Sequence, residues 1–199
     1  MAKKSKLPPD VTAFGEAIAT FTKQTNRGCA LVAAAWVDDA LAAYVRAVLR
    51  PDQQLADQLF QPEGPLGTFS SRIKVAYMLG LIEQYEYKDL ETIRSIRNEF
   101  AHVRQNLRFT TQHIKARCNN LHAAKAFHLG TGSAIRSPRQ KFLLSVYFLA
   151  DYLLSGAKEA KPPNVLLGDP YGTWIRRMAK SMSLVEVGKA LKENNMRNA

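Results

Sequence analysis

Residues 27–49, Arg27-Gly28-Cys29-Ala30-Leu31-Val32-Ala33-Ala34-Ala35-Trp36-Val37-Asp38-Asp39-Ala40-Leu41-Ala42-Ala43-Tyr44-Val45-Arg46-Ala47-Val48-Leu49, decide the fold. Leu31, Val32, Ala35, Trp36, Ala40, Ala43 and Ala47 leave little polar surface, and a helix apolar on nearly every side is one that others surround. A central helix is therefore predicted here. Arg50-Pro51 ends it, because the residue before a proline is pushed out of the α region, while Pro51 suits the first turn of a following helix. Upstream, Asp10 is placed to cap a first helix reaching about Lys23.

Downstream, every long segment again reads with helical period and none alternates long enough to compete as a strand. Asp52 to Phe60 is short and amphipathic; Pro62-Glu63-Gly64-Pro65-Leu66-Gly67 then forbids helix continuation, and a helix from Thr68 to Leu81 follows. Tyr87 to Val103 places Leu90, Ile93, Ile96, Phe100 and Val103 on one core-facing stripe. Thr110 or Thr111 opens another helix to about Ala126, and Gly130-Thr131-Gly132-Ser133 separates it from the next. Ser137-Pro138-Arg139-Gln140 combines an N-cap, a proline at the first helical position and a glutamine at the third. The helix it opens reaches about Lys158 and turns Phe142, Val146, Leu149, Ala150 and Leu153 inward.

The expected fold is all-α, a single multi-helix bundle over residues 10–160, preceded by a flexible basic stretch at 1–9. Lys161-Pro162-Pro163-Asn164 reads as a linker to a small basic helical appendage ending at residue 199. The 199 residues are 46% hydrophobic and 23% charged, a globular composition that excludes disordered, collagenous and disulfide-stapled chains. Cys29 and Cys118 form no disulfide framework and have no zinc-ligand spacing, so a reduced, cytoplasmic protein is expected. No uncharged apolar run approaches the roughly 18 to 20 residues of a membrane span, and no signal-peptide core follows the basic start.

Charge points to partners. Lys and Arg number 28 against 17 Asp and Glu, a formal net charge of +11. Between Glu99 and Asp151 there is no acidic residue, while Arg104, Arg108, Lys115, Arg117, Lys125, Arg136, Arg139 and Lys141 are all cationic. Burying unpaired cations is prohibitively costly, so this stretch is expected to present a basic surface for DNA or RNA. The alternative is a solvated face paired with carboxylates from the first half. In the tail, Tyr171 to Met182 and Ser183 to Asn194 imitate a helix-turn-helix, with Arg176, Arg177 and Lys180 as phosphate contacts. A tail docking back on the bundle is the competing reading. His102, His113, His122 and His128 show no ligand spacing, so neither metal nor cofactor is expected.

Arg97-Asn98-Glu99-Phe100-Ala101-His102 is the hexapeptide whose residue types suit chemistry: arginine holds phosphate charge and histidine moves protons near neutral pH. Asn98 and His102 share a helix face, whereas Arg97 and His102 lie roughly 140° apart. Arg97 groups instead with Arg94, Ala101 and Arg104. A joint site requires a distorted helix end, the reach of the arginine, or a second copy of the helix; a structural role for both residues is the alternative.

Glu63-Gly64-Pro65-Leu66-Gly67, Ser71-Arg72-Ile73-Lys74-Val75-Ala76-Tyr77-Met78-Leu79-Gly80-Leu81-Ile82, Tyr87-Lys88-Asp89-Leu90, Arg97 to His102 and Phe109-Thr110-Thr111 together resemble the core of the mannitol operon repressor family. The match runs over about residues 27–125. It implies an all-helical, oligomeric bacterial transcriptional repressor without an evident DNA-reading motif. Arg97-Asn98 and His102 also resemble the Arg-x-x-x-x-His motif of HEPN domains, helical bundles that include metal-independent ribonucleases. That resemblance implies that Arg97 holds a scissile phosphate, His102 acts as acid or base, and Asn98 orients it. The expected function is a mannitol-repressor-type regulator binding nucleic acid or a regulatory protein and forming a homodimer, without membrane association. The alternatives are a HEPN-like ribonuclease serving as a toxin or defence component and a non-catalytic protein-interaction module.

Overall fold

A computed structural model describes residues 20–21, 23–103, 106–131, 135–163 and 177. The chain divides into two compact units, 1–162 and 163–199; only Pro163 and Arg177 of the second fall among the described residues. The expected first helix, apart from its last residues, and the two tail helices, apart from Arg177, lie outside them.

The first unit is an all-α bundle. Its helices are α1 (Asn26–Ala47), α2 (Gln53–Phe60), α3 (Phe69–Met78), α4 (Gln84–His102), α5 (Gln112–Asn120), α6 (His122–Thr131) and α7 (Pro138–Glu159). The central helix is α1, packed against α3, α4 and α7. By length and composition alone it is apolar enough to cross a bilayer, yet Cys29, Ala30, Ala33, Ala34, Val37, Ala40, Leu41 and Val45 are buried inside the bundle. Of the residues singled out in the sequence, only Ala40 belongs to this stripe. Val32 is 49% exposed and Ala35 is exposed, because a helix apolar almost all round does not reveal which side its neighbours take. The small residues win the inner side, where they let other helices approach closely.

Where the apolar stripe is narrow, sequence and structure agree except at Val103, which caps α4 in extended conformation and is only half-buried. Leu90, Ile93, Ile96 and Phe100 of α4 are fully buried, as are Phe142, Val146, Ala150 and Leu153 of α7. Phe109 bridges these two helices, its ring 5.0 Å from that of Phe100 and 5.2 Å from that of Phe142. Each large apolar side chain withdrawn from water contributes about 1.5–3 kcal/mol.

Several boundaries move, each for a local reason. The helix expected to reach Leu81 stops at Met78, because Gly80 adopts φ 69° and the Leu81 amide reaches back to the Ala76 carbonyl at 2.9 Å, a left-handed stop that favours glycine. The α4 helix begins at Gln84 rather than Tyr87, where the Glu83 amide donates to Glu86 Oε2 at 3.1 Å. One helix over residues 110–126 becomes two: Leu121 breaks it at ψ 125°. Asp89 on α4 then takes the His122 and Ala123 amides at 2.8 and 2.9 Å, restarting the chain as α6, which runs on to Thr131. At α7 the N-terminal proline stands as expected, but Ser137 makes no side-chain cap.

The Gly64-Pro65-Leu66-Gly67 turn is folded tightly onto α2. The Leu66 amide donates to the Leu59 carbonyl at 2.9 Å, and a Cβ on Gly67 would lie 2.1 Å from the Gln61 carbonyl oxygen. Arg72 locks the turn to α1, donating to Leu66 O at 2.7 Å and to both oxygens of Asp38 at 2.7–2.8 Å.

Candidate functional site

Two cavities open against α4, one at each end. Toward its C-terminal half lies a space of about 350 Å³ whose walls include Asp38 and Ala35 of α1, Thr68, Ser70 and Arg72 around the start of α3, and Arg94, Arg97 and Asn98 of α4. Arg94 is held by Glu91 at 2.7 Å and Arg72 by Asp38 at 2.7 Å. Burial pushes the Asp38 carboxyl up from the ordinary aspartate range, against the opposing pull of Arg72's hydrogen bonds and charge. Arg97 has no carboxylate partner within 4 Å among the described residues; it donates to Asn98 Oδ1 at 3.0 Å.

The motif residues are therefore divided. Arg97 and Asn98 face the cavity together, as Arg97 and Arg94 do, while the exposed His102 is not among the lining residues. The Asn98 amide oxygen is engaged by Arg97 rather than by the imidazole. The helix runs unbroken to His102. Its following carbonyl, that of Val103, accepts from Arg27 of α1, so no distortion of the helix end brings Arg97 and His102 together.

Beside the N-terminal half of α4 is a groove of about 420 Å³ between α4, α6 and α7, lined by Tyr85, Glu86, Asp89, His122, Phe127, Phe148 and Tyr152 among others. The Tyr85 ring stacks on His122 with centroids 3.9 Å apart. Phe127 lies 5.8 Å from Phe148, and the Tyr152 hydroxyl donates to Leu81 O at 3.3 Å. Tyr85, Phe148 and Tyr152 remain 55%, 38% and 45% exposed, although such rings are usually covered. The neighbouring α3–α4 turn leaves Met78 81% and Leu79 52% exposed. Asp89, at the groove floor, has its carboxyl pushed up by burial against the lowering effect of the two α6 amides. Sequence reasoning missed this groove: its aromatics come from three helices, and the break that positions α6 was not read.

Of the residues expected to form a basic surface, some are engaged within the bundle and others are exposed. Glu99 accepts from Arg117 and lies 2.6 Å from His113 Nε2. Burial alone would push its carboxyl up, but these two hydrogen bonds together hold it below the ordinary glutamate range. Arg139 donates to the Phe21 and Gln24 carbonyls at 2.7 and 2.6 Å, pinning the approach to α1. Lys141 donates to Asn119 Oδ1 at 2.8 Å. Arg108, Lys115 and Arg136 are exposed, as is Arg177, and the first three have no carboxylate within 4 Å among the described residues. Arg104, Arg176 and Lys180 lie outside the described residues.

Neither cysteine suits nucleophilic work, since both are buried and free. Burial pushes the Cys118 thiol up to about 12 and also raises Cys29, against Arg139. Among the described residues no group of three His, Cys, Asp or Glu side chains is placed to hold a metal ion.

The family model for the mannitol repressor matches residues 20–147. The chain belongs to the mannitol repressor family. Two curated relatives, both mannitol operon repressors from Escherichia coli strains, are 31% identical to it over 107 residues, 52% of this chain and 55% of theirs. The chain thus aligns with about half the length of these curated relatives. Among solved structures, a chain in the X-ray structure of the MtlR–HPr complex from Escherichia coli has the same fold, with a TM-score of 0.58 and 23% identity. That alignment covers 71% of this chain and 99% of the other. The mannitol-repressor motif residues have structural work here: Gly67 admits the tight turn, Arg72 ties it to α1, and Asp89 restarts α6.

Proposed function

We propose that this chain is a cytoplasmic transcriptional regulator of the mannitol operon repressor type, acting by docking a regulatory protein of the HPr kind. Family membership supports the regulatory class, and the relative solved together with HPr supports the kind of partner. The observation that carries the docking reading is the groove of exposed Tyr85, Phe148 and Tyr152 beside α4. Tyrosines in a concave apolar patch are the residues on which protein interfaces concentrate their affinity. Glu86 lines it and Glu83 acts with Glu86 on Tyr152, on a chain of formal charge +11, so the fitting partner presents an apolar patch flanked by basic residues.

Isothermal titration of the full chain with HPr from the same organism tests this. Saturable binding is expected, weakened by about tenfold or more in Tyr85→Ala with Tyr152→Ala, since interface tyrosines commonly contribute more than 1 kcal/mol. Undiminished affinity in a folded double variant would remove the groove from the interface.

A second reading, nucleic-acid binding, draws on the exposure of Arg108, Lys115 and Arg136. Phosphate contacts release counterions, so affinity for duplex DNA should fall steeply with salt, and replacing these three by alanine should flatten that slope. Homodimerisation belongs to the same proposal and is checked by light scattering at micromolar concentration. Catalysis at Arg97, Asn98 and His102 is less supported, because Asn98 is occupied by Arg97 and His102 lies away from their cavity.

A further inference from the structure

We infer that the cavity between α1, α3 and α4 is a binding site for a small phosphate monoester, separate from the groove proposed for protein docking. The carrying observation is the convergence of three arginines on one open cleft. Arg72 comes from α3, and Arg94 and Arg97 come from successive turns of α4. Two of the three are matched by carboxylates, Arg72 by Asp38 and Arg94 by Glu91. Arg97 has no carboxylate within 4 Å among the described residues, and Asp38 acts on it only through space, so the three guanidiniums exceed these two carboxylates by one. A planar guanidinium offers paired donors that fit phosphate oxygens, and this excess charge is what an oxyanion would neutralise.

The remaining walls define the body of the ligand. Ser70, at the start of α3, and Asn98 face the space together, while the Thr68 hydroxyl beside them is engaged with Ser71 as the helix cap. Hydroxyl and amide groups of this kind pair with a hydroxylated ligand. The apolar walls are Ala34, Ala35 and Phe69, the last partly buried against the core, so most of the lining left to a ligand is polar. At about 350 Å³ the space is at the small end of ligand sites, which run to roughly 300–1,000 Å³. A small molecule therefore fits better than a phosphorylated segment of a protein. The site joins α1, α3 and α4, so an occupant bears on how these three helices pack.

Isothermal titration of the full chain at low ionic strength, with inorganic phosphate, glycerol 3-phosphate, acetate and glycerol as probes, tests the assignment. Glycerol 3-phosphate is expected to bind saturably and more tightly than inorganic phosphate, acetate at least about tenfold more weakly, and glycerol not at all. Arg97→Ala, at an exposed position, should lower phosphate-ester affinity by about tenfold or more with an unchanged melting curve. Glu91→Gln should raise it several-fold by releasing Arg94, an outcome a merely structural role for the arginines would not produce. Absence of saturable binding, acetate matching the phosphate ester, or undiminished affinity in Arg97→Ala would each overturn the proposal. Tighter binding of a phosphoserine peptide than of glycerol 3-phosphate would overturn the small-molecule assignment. HPr binding by the same protein preparation reads the other site, so failure here is distinguishable from failure of the docking reading.

Discussion

The two cavities on α4 are opposites built on one helix. Its first half offers Tyr85, Glu86 and Asp89 to an aromatic groove with acidic neighbours; its last half offers Arg94, Arg97 and Asn98 to a cationic pocket. Between and beneath them runs the buried stripe Leu90, Ile93, Ile96 and Phe100. One face of the helix thus fixes the fold while the exposed remainder changes character along its length. The lesson is that surface chemistry on a core helix can be replaced end by end without cost to packing. Mutations that disturb one end should therefore spare the other.

The largest test of that independence is Gly67→Ala. A Cβ there would sit 2.1 Å from the Gln61 carbonyl oxygen, against backbone that cannot swing aside. Relief requires the turn to move, at a cost of about 3 kcal/mol by analogy with overpacked sites. The turn supplies Gly67 and Thr68 to the cationic pocket and holds Arg72 through Leu66 O. Phosphate-ester binding should be lost while HPr docking by the folded fraction persists. Chemical denaturation gives the first quantity and calorimetry the other two; joint loss of both ligands in folded protein would show that the cavities are not independent.

Asp89→Ala is the reciprocal test. It removes the buried carboxylate that receives two α6 amides, and loss of such a cap costs about 2 kcal/mol. For a chain of this size that corresponds to a fall of about 4–8 °C in Tm. Because α6 carries His122 and Phe127 into the groove, protein docking should weaken while phosphate-ester affinity remains. Unchanged docking would mean that α6 does not form the interface.

These two variants also show how far the sequence could be read. The stripes of α4 and α7 were legible because charged residues flank them, so only one face could be inward. The inner face of α1 was not, because alanine occupies nearly every side and geometry had to choose. The Gly67 turn was visible as a family resemblance and as punctuation, but its tie through Arg72 to Asp38, 34 residues earlier, depends on tertiary placement. Asp89 illustrates the same limit more sharply: it looks like an ordinary polar residue within a helix, and only the docking of α4 beside residue 121 makes it the start of α6. Both cavities were hidden for that reason, whereas Arg97 and Asn98 were recognisable as chemistry without a location. His102 was joined to them by the motif resemblance, although helical spacing already set it roughly 140° from Arg97, and the unbroken helix keeps that separation.

The smallest effect is expected at Glu99, which lies beyond both cavities and joins α4 to α5 through Arg117 and His113. Its carboxyl is held below the ordinary glutamate range. The folded state therefore binds this proton less readily than the unfolded chain, and the resulting stability is fully present above the unfolded glutamate value of about 4.3. It is lost as pH falls from there through the lower folded value. The partners are partly exposed, at 37% and 54%, so solvent screening limits the contribution to about 1 kcal/mol or less. Glu99→Gln should consequently reduce stability by that amount at pH 7 and by progressively less below about pH 4. Denaturation curves of the two proteins that stay a constant distance apart down to strongly acidic pH would show that the ion pair is not the source. Phosphate-ester and HPr affinities should both stay within about twofold of the parent, since Glu99 lines neither cavity and exposed charges at a distance are screened by salt.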